Sequence, residues 1–244
     1  MDIPKNDPRA VAVTAAIHNG DLAALETMLK DDPELASARI VDEHTVRRSL
    51  LHIATDWPGR RPNSAQTIAM LVRYGADVNA SVDHPSQEEA KETPLHWAAS
   101  NDDVESIDAL LDAGADIEVP GAIFTSGAPM SDAVIFAQWK AARRLHERGA
   151  KTTFWQASAL GLLDEVQRHL AEDSSITAEN ITNAFWNASR GGHRPVAEFL
   201  LSRGADPNWI GHDDKTSLEM AMEGEHRELV DWLQSIGAKK ASEL

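Results

Sequence analysis

The chain has 244 residues, of which 42% are hydrophobic and 25% are charged, a composition typical of globular proteins rather than disordered ones. It carries 23 basic and 39 acidic residues, so its formal net charge is −16. A surface of this charge repels phosphate backbones and anionic lipids. We therefore expect no nucleic-acid partner, no membrane-surface role, and a partner that is basic or neutral.

Cysteine is absent, which excludes disulfides, thiolate nucleophiles and cysteine-bound metals. The first eight residues lack the apolar run of a secretory signal. No stretch approaches the ~18 uninterrupted apolar residues of a membrane span. Together these features predict a soluble, cytoplasmic protein.

A short motif recurs along most of the chain. The clearest copy is Thr-Pro-Leu-His-Trp-Ala-Ala at 93–99, followed by Gly-Ala-Asp at 114–116. Six related openings end in a small residue at positions 16, 54, 133, 157, 188 and 221. The steps between successive openings scatter about a period of ~33 residues, which indicates an array of structural repeats.

Each copy predicts two short helices. The leading Thr or Ser suits an N-cap and the proline after it suits the first helical turn. The spacing of Leu95, Ala98 and Ala99 places them on one face, which we expect to be buried. A glycine such as Gly114 ends the second helix. Because one such unit cannot bury both its faces, neighbouring units must stack.

In chain order, the predicted repeats form one domain at 9–240 between an N-terminal tail at 1–8 and a C-terminal tail at 241–244. The repeats span residues 9–36, 47–79, 91–118, 126–151, 152–175, 181–208 and 214–239. Insertions are predicted at 57–64 and 83–91, where the step between openings is long.

These motifs resemble those of the ankyrin repeat family, in a bacterial-type array of about seven degenerate repeats. The match is most specific at Thr93–Ala99 and Gly114–Asp116, whereas the first and fifth units lack the Gly-Ala-Asp close. The resemblance implies an all-α solenoid of stacked helix-turn-helix units with connecting loops. It also implies that ligands meet the loop tips and the groove-facing side of the first helices.

Helical register then selects the groove-facing positions, if Leu95 points inward. Aromatic walls with a few polar groups suit a peptide anchor site or a small-molecule pocket. An alternative is that these are solvated groove residues with incidental aromatic filling. The predicted binding residues are Asp56, Trp57, Trp97, Asn101, Asp132, Phe136, Gln156, Asn187 and Arg190.

His52 and His96 occupy the histidine position of the motif, where the resemblance implies that an imidazole ties one repeat to the next. Trp155 and Trp186 fill this position in later units, so we expect packing to replace the polar link there. The chain contains no HExxH, GxSxG, GxxxxGK[ST] or GxGxxG motif and no cluster with metal-ligand spacing. We therefore predict no metal and no cofactor.

The leading hypothesis is a non-catalytic module that binds a protein through the concave groove and loop tips. The alternative is a small-molecule-binding protein or an enzyme, with Asp132 or Asp56 as general acid or base and Arg190 as an anion anchor. Its walls would be aromatic side chains, namely Trp57, Trp97 and Phe136. A structural spacer is a third possibility.

Overall fold

The computed structural model describes residues 1–85 and 91–244, so 86–90, in the predicted insertion at 83–91, lie outside the described residues. The chain divides into two compact units, unit 1 at Met1–Lys151 and unit 2 at Thr152–Leu244. No helix in the described ranges is long and apolar enough to span a bilayer.

Helix pairs build unit 1. The four pairs in its described part are α1 (Pro8–Asn19) with α2 (Leu22–Asp31), α3 (Leu50–Thr55) with α4 (Ser64–Arg73), α5 (Pro94–Ser100) with α6 (Val104–Asp112), and α7 (Pro129–Ile135) with α8 (Trp139–Glu147). The first helices pack in the order α1, α3, α5, α7, and the second helices in the order α2, α4, α6, α8. The two rows bury a shared core, and the helical solenoid fold is confirmed.

A small sheet precedes the second helix pair. Its strands are β1 (Asp2–Pro4), β2 (Arg39–Val41) and β3 (Arg47–Ser49), with β1 parallel and β3 antiparallel to β2. Residues 1–8 were predicted to be a tail, and the structure differs because Ile3 is fully buried opposite Ile40. Asp2 also forms an ion pair with Arg47 at 2.9 Å. The mostly helical fold therefore has a short β element.

Unit 2 is built in the same way. Its pairs are α9 (Phe154–Leu160) with α10 (Leu163–Glu172), α11 (Ala178–Arg190) with α12 (Arg194–Ser202), and α13 (Ser217–Glu223) with α14 (Arg227–Ser235). α11 packs on α9 and α13, and α10 packs on α12. Phe185 is fully buried at the centre of the core, together with Val166, Leu200, Leu218 and Leu229.

The motif histidines join successive repeats of unit 1. The backbone N–H of Ser49 donates to Nδ1 of His52 (3.3 Å), so Nδ1 lacks a proton and Nε2–H is free to donate. This Nε2–H donates to the carbonyl of Glu92 at 3.1 Å. His96 repeats the pattern with the Thr93 N–H at 3.0 Å and the Gly127 carbonyl at 3.3 Å. Both imidazoles are therefore neutral links rather than ligand groups.

In unit 2 an indole makes the same link. Trp186 Nε1–H donates to the carbonyl of Lys215 at 2.9 Å. Lys215 immediately precedes Thr216, the N-cap of α13, just as Glu92 immediately precedes Thr93. The expectation that packing alone replaces the polar link is therefore wrong for Trp186, because the indole N–H takes over the role of the imidazole N–H.

The fifth repeat shows a register shift of one residue. The N-cap of α9 is Thr153, and its backbone N–H donates to Oε1 of Gln156 at 2.9 Å. Gln156 is thus the third helical residue, as His96 is after Thr93. The prediction that Trp155 occupies the histidine position is wrong, because the N-cap of this repeat is Thr153 and the third residue after it is Gln156.

Replacing Trp186 with phenylalanine should lower the free energy of unfolding by about 2 kcal/mol. Roughly half of this comes from the lost hydrogen bond to Lys215 and the rest from lost packing. The measurement is urea unfolding followed by circular dichroism. Trp155→Phe is the matched control, and we expect a smaller loss there. Equal losses in the two variants would contradict the indole link.

Candidate functional site

Exposed aromatic side chains lie at the ends of the first helices of unit 1. Trp57, just after α3, is 78% exposed, and Phe136, at the C-cap of α7, is 43% exposed. Phe124, in the loop before α7, is 66% exposed and meets Phe136 edge-on at 5.9 Å between ring centroids. We call Trp57, Phe124 and Phe136 the aromatic edge. Large apolar side chains left in solvent mark candidate interaction sites when they cluster.

Two polar residues of the predicted surface support this edge. Asp56, at the C-cap of α3, accepts a hydrogen bond from the backbone N–H of Trp57 at 2.8 Å. Asn101, at the C-cap of α5, donates from Nδ2 to the carbonyl of Thr55 at 2.9 Å and so joins α5 to the end of α3. Both side chains therefore have structural contacts beside the exposed rings.

Trp97 lies half-buried on α5, surrounded by polar and charged groups. Its Nε1–H donates to Oε2 of Glu92 at 3.1 Å, and the ring of His52 meets it edge-on at 4.9 Å. The guanidinium of Arg48 lies 5.9 Å from its ring centroid. Sequence reasoning selected Trp97 but missed Glu92, because no motif marks the residue that precedes the N-cap.

Asp132 was predicted on an exposed groove face, and the structure corrects this. The side chain is fully buried, and neither carboxylate oxygen has a hydrogen-bond partner among the described residues. The reason is that its register position packs against neighbouring repeats: Ile53, at the same position of α3, is buried as well. The row predicted to be in solvent is therefore partly core.

Burial controls the ionisation of this part of unit 1. It raises the pKa of Asp132 to about 8, with a further contribution from the negative charge of Glu92. Burial also raises the pKa of Glu92, while hydrogen bonds from Trp97 and the Ile123 backbone oppose that shift. We call Glu92, Trp97 and Asp132 the carboxyl site. At neutral pH the Asp132 carboxyl is protonated, as a buried carboxylic acid.

The remaining predicted residues lie in unit 2. Gln156 is buried and caps α9, as described above. Asn187 is buried and donates from Nδ2 to the carbonyl and side-chain oxygens of Asn183, both at 3.0 Å. Arg190 is half-buried, with its guanidinium 6.0 Å from the Trp186 ring centroid, and burial lowers its pKa. A binding role for these three stays a prediction.

A metal site would need a cluster of suitable ligands. Across residues 1–85 and 91–244, no group of three or more His, Cys, Asp or Glu side chains is arranged to hold a metal ion. The chemistry that the described side chains offer is instead hydrogen bonding, charge and aromatic contact.

The free energy of unfolding should fall with rising pH over the range in which Asp132 is ionised in the unfolded chain but protonated in the folded protein. The folded pKa of about 8 exceeds the ordinary value of 3.8, so folding is penalised by about 1.4 kcal/mol per pH unit between them. We expect a loss of about 2 kcal/mol between pH 6.5 and 8. Urea unfolding at constant ionic strength measures it.

Asp132→Asn should remove most of this slope, whereas Glu105→Gln on the exposed side of α6 should keep it. Burial lowers the pKa values of His52 and His96 to about 3 and about 4. Their contribution to stability is therefore lost only as the pH falls below 6.5, outside the chosen window. An unchanged slope in Asp132→Asn would show that Asp132 ionises normally.

Comparison with known proteins supports the repeat assignment. A family model of ankyrin repeats in three copies matches residues 13–121. An ankyrin repeat and KH domain-containing protein of Caenorhabditis briggsae is 26% identical over 203 residues, which make up 83% of this chain but span only 6% of that relative. The crystal structure of the human ASB11 ankyrin repeat domain is similar in fold, with a TM-score of 0.52 at 19% identity over 91% of this chain and 96% of that one.

Ankyrin repeats are generally protein–protein interaction modules. The recurring helix opening, clearest as Thr-Pro-Leu-His at 93–96, agrees with the stacked helix pairs and with the matches to the family model and the solved structure. The chain contains ankyrin repeats, which the family model matches at residues 13–121, and it shares the fold of a solved ankyrin repeat domain.

Proposed function

We propose that this chain is a non-catalytic module that binds a protein through unit 1, with the aromatic edge as its main contact surface. The observation that carries the proposal is the exposure of its rings, which reaches 78% at Trp57 and 66% at Phe124. Leaving such rings in water forfeits roughly 1.5–3 kcal/mol of burial free energy each. A partner that covers them would recover this free energy.

The spacing of the edge suits a macromolecular partner. Trp57 follows α3 and Phe136 caps α7, with α5 packed between these two helices. Helices in contact lie about 8–10 Å apart, so the two rings are separated by roughly 20 Å. A span of this size fits a segment of polypeptide better than one small molecule. Tryptophan and other aromatic residues are also enriched among the residues that dominate protein interfaces.

Charge favours a basic or neutral partner. The net charge of −16 attracts positively charged molecules over distances up to a Debye length, about 8–10 Å in physiological salt. This attraction increases the rate at which a basic partner is encountered, while the aromatic edge supplies contact area. The cytoplasmic location stays a prediction.

Small-molecule binding or catalysis is the second candidate, and one observation favours it. A pKa of about 8 would let Asp132 act as a general acid near neutral pH. Asp56 and Asp132, however, belong to α3 and α7, which flank α5. Two helix spacings, roughly 20 Å, exceed the ~5–10 Å over which two carboxyls act on one substrate. The buried position of Asp132 also keeps it from direct substrate contact.

The double variant Trp57→Ala with Phe124→Ala should lose at least about 90% of partner capture, because each removed ring costs about 1–2 kcal/mol of binding. The measurement is quantitative mass spectrometry of proteins recovered from the native lysate on the tagged full chain. Since both rings are exposed, circular dichroism and thermal unfolding should match wild type.

Val11→Ala is the matched control, because Val11 is also an exposed apolar residue of unit 1, 55% exposed on α1. It should capture the same polypeptide as wild type. Capture of one defined polypeptide at equal yield by the double variant would refute the role of the aromatic edge. Failure to enrich any defined polypeptide in repeated experiments would refute the protein-binding function.

A further inference from the structure

The side chain of Asp132 is buried inside unit 1 without a hydrogen-bond partner among the described residues. Both of its carboxylate oxygens are buried, and neither has a partner in the described part of the chain. Buried polar atoms in proteins nearly always have a partner, because an unpaired one costs about 1–3 kcal/mol. The unpaired oxygens of Asp132 therefore mark the carboxyl site as a place where hydrogen-bonding capacity is left unused in the described structure.

Glu92 connects this buried carboxyl with the surface. Its side chain belongs to a half-buried residue, and its negative charge is close enough to disfavour ionisation of Asp132. The indole N–H of Trp97 (3.1 Å) and the backbone of Ile123 hold the Glu92 carboxylate in place. Because both donors are neutral, they orient the charge of Glu92 without cancelling it. A positive charge beside Glu92 would therefore complement it.

The indole of Trp97 suits a cation as well. Cations are attracted to the face of tryptophan within about 6 Å of the ring centroid. Arg48 demonstrates this at one side of the ring, at 5.9 Å. The same guanidinium donates to Oδ2 of Asp42 at 2.7 Å, where it forms an ion pair. Arg48 is thus ion-paired with Asp42 through one terminal nitrogen, while its Nε has no hydrogen-bond partner in the described structure, and a second cation beside Trp97 would come from a binding partner.

We propose that the carboxyl site binds a lysine or arginine side chain of the protein partner. Glu92 and Trp97, both half-buried, make the direct contacts, and Asp132 supplies the second carboxyl behind them. A positive charge there is attracted by the Glu92 carboxylate and also favours the ionised form of Asp132, which is protonated without it. This inference rests on the protein-binding function proposed above and specifies one residue type that the partner must present.

The site is continuous with the aromatic edge. Ile123, whose backbone contacts the Glu92 side chain, is followed directly by Phe124 of that edge. Ile123 is itself 40% exposed. A partner segment lying on Phe124 would therefore place its neighbouring residues near Glu92. A basic residue flanked by apolar ones is the sequence that this arrangement favours.

The test uses side-chain analogues as probes on the ¹⁵N-labelled full chain. n-Butylammonium chloride stands for lysine and n-butylguanidinium chloride for arginine, with n-butanol plus sodium chloride as the neutral control at equal ionic strength. The readout is the Trp97 indole N–H resonance, assigned by its absence from Trp97→Phe. We expect at least one of the two cations to give a saturable shift, and the control to give none.

Glu92→Gln should weaken binding of that cation by about tenfold, the value of one charge-assisted hydrogen bond, whereas Asp132→Asn, at a carboxyl without direct contact, should weaken it by less. Glu105→Gln, an exposed carboxylate on the same unit, should bind it as wild type does. Circular dichroism checks the fold of each variant. If Asp132→Asn fails to fold, the cation affinity of Glu92→Gln alone tests the proposal. Equal binding in Glu92→Gln and wild type would overturn the proposal.

A second arm replaces the organic cations with calcium chloride. A tighter saturable shift of Trp97 with calcium than with either organic cation would overturn the proposal in favour of an inorganic ion. The outcomes also separate this inference from the proposed function. If wild type binds the probe but the Trp57→Ala, Phe124→Ala double variant still captures the partner, only the aromatic edge is refuted. If the double variant loses capture but wild type binds neither organic cation, only the cation site is refuted.

Discussion

In three of the repeats, one carbonyl just before the first helix accepts hydrogen bonds from several neighbouring segments. The carbonyl of Glu92 accepts the imidazole N–H of His52 from the preceding repeat and the backbone N–H of Val82 from the connecting loop. Gly127 receives His96 and the loop N–H of Gly121 in the same way. Each carbonyl thus joins a helix, a loop base and the next N-cap. Helix pairs too short to be stable alone obtain a defined stacking distance from this contact.

The same constraint explains why histidine can be replaced without losing the fold. What the position requires is an N–H donor that reaches the carbonyl before the next cap. Trp186 meets this requirement towards Lys215, whose carbonyl also accepts the N–H of Gly211. The larger ring leaves little space: a Cβ at Gly211 would lie 2.7 Å from Nε1 of Trp186. Glycine at 211 therefore provides the space that the indole of Trp186 needs.

The helices and their caps could be predicted from the sequence because local rules determine them. Thr93, Pro94 and the spacing of Leu95 with Ala98 specify where α5 begins and which face is buried. The strand at Asp2–Pro4 could not be predicted, since its pairing with Arg39–Val41 depends on residues far apart in the chain. The position of Gln156 in its repeat was predicted one residue away from where it lies, because matching small residues between repeats does not fix the helix start.

The candidate site was predicted only in part, for a related reason. Trp57 and Phe136 could be placed because each follows the last turn of a first helix, and both are exposed there. Asp132 was misplaced because its depth depends on the side chains of neighbouring repeats, not on its own helix. Glu92 could not be selected from the sequence, because its side-chain contacts with Ile123 in the following loop and Trp97 on α5 form only in the folded structure.

Glu92 serves the fold with its main chain and the candidate site with its side chain. The carbonyl that accepts from His52 is present in every amino acid, whereas the carboxylate that accepts from Trp97 is specific to the side chain at this position. A substitution at this position therefore changes the side-chain chemistry of the candidate site, while the carbonyl contact that joins the repeats stays intact. An array built on such positions can diversify its preferences one repeat at a time.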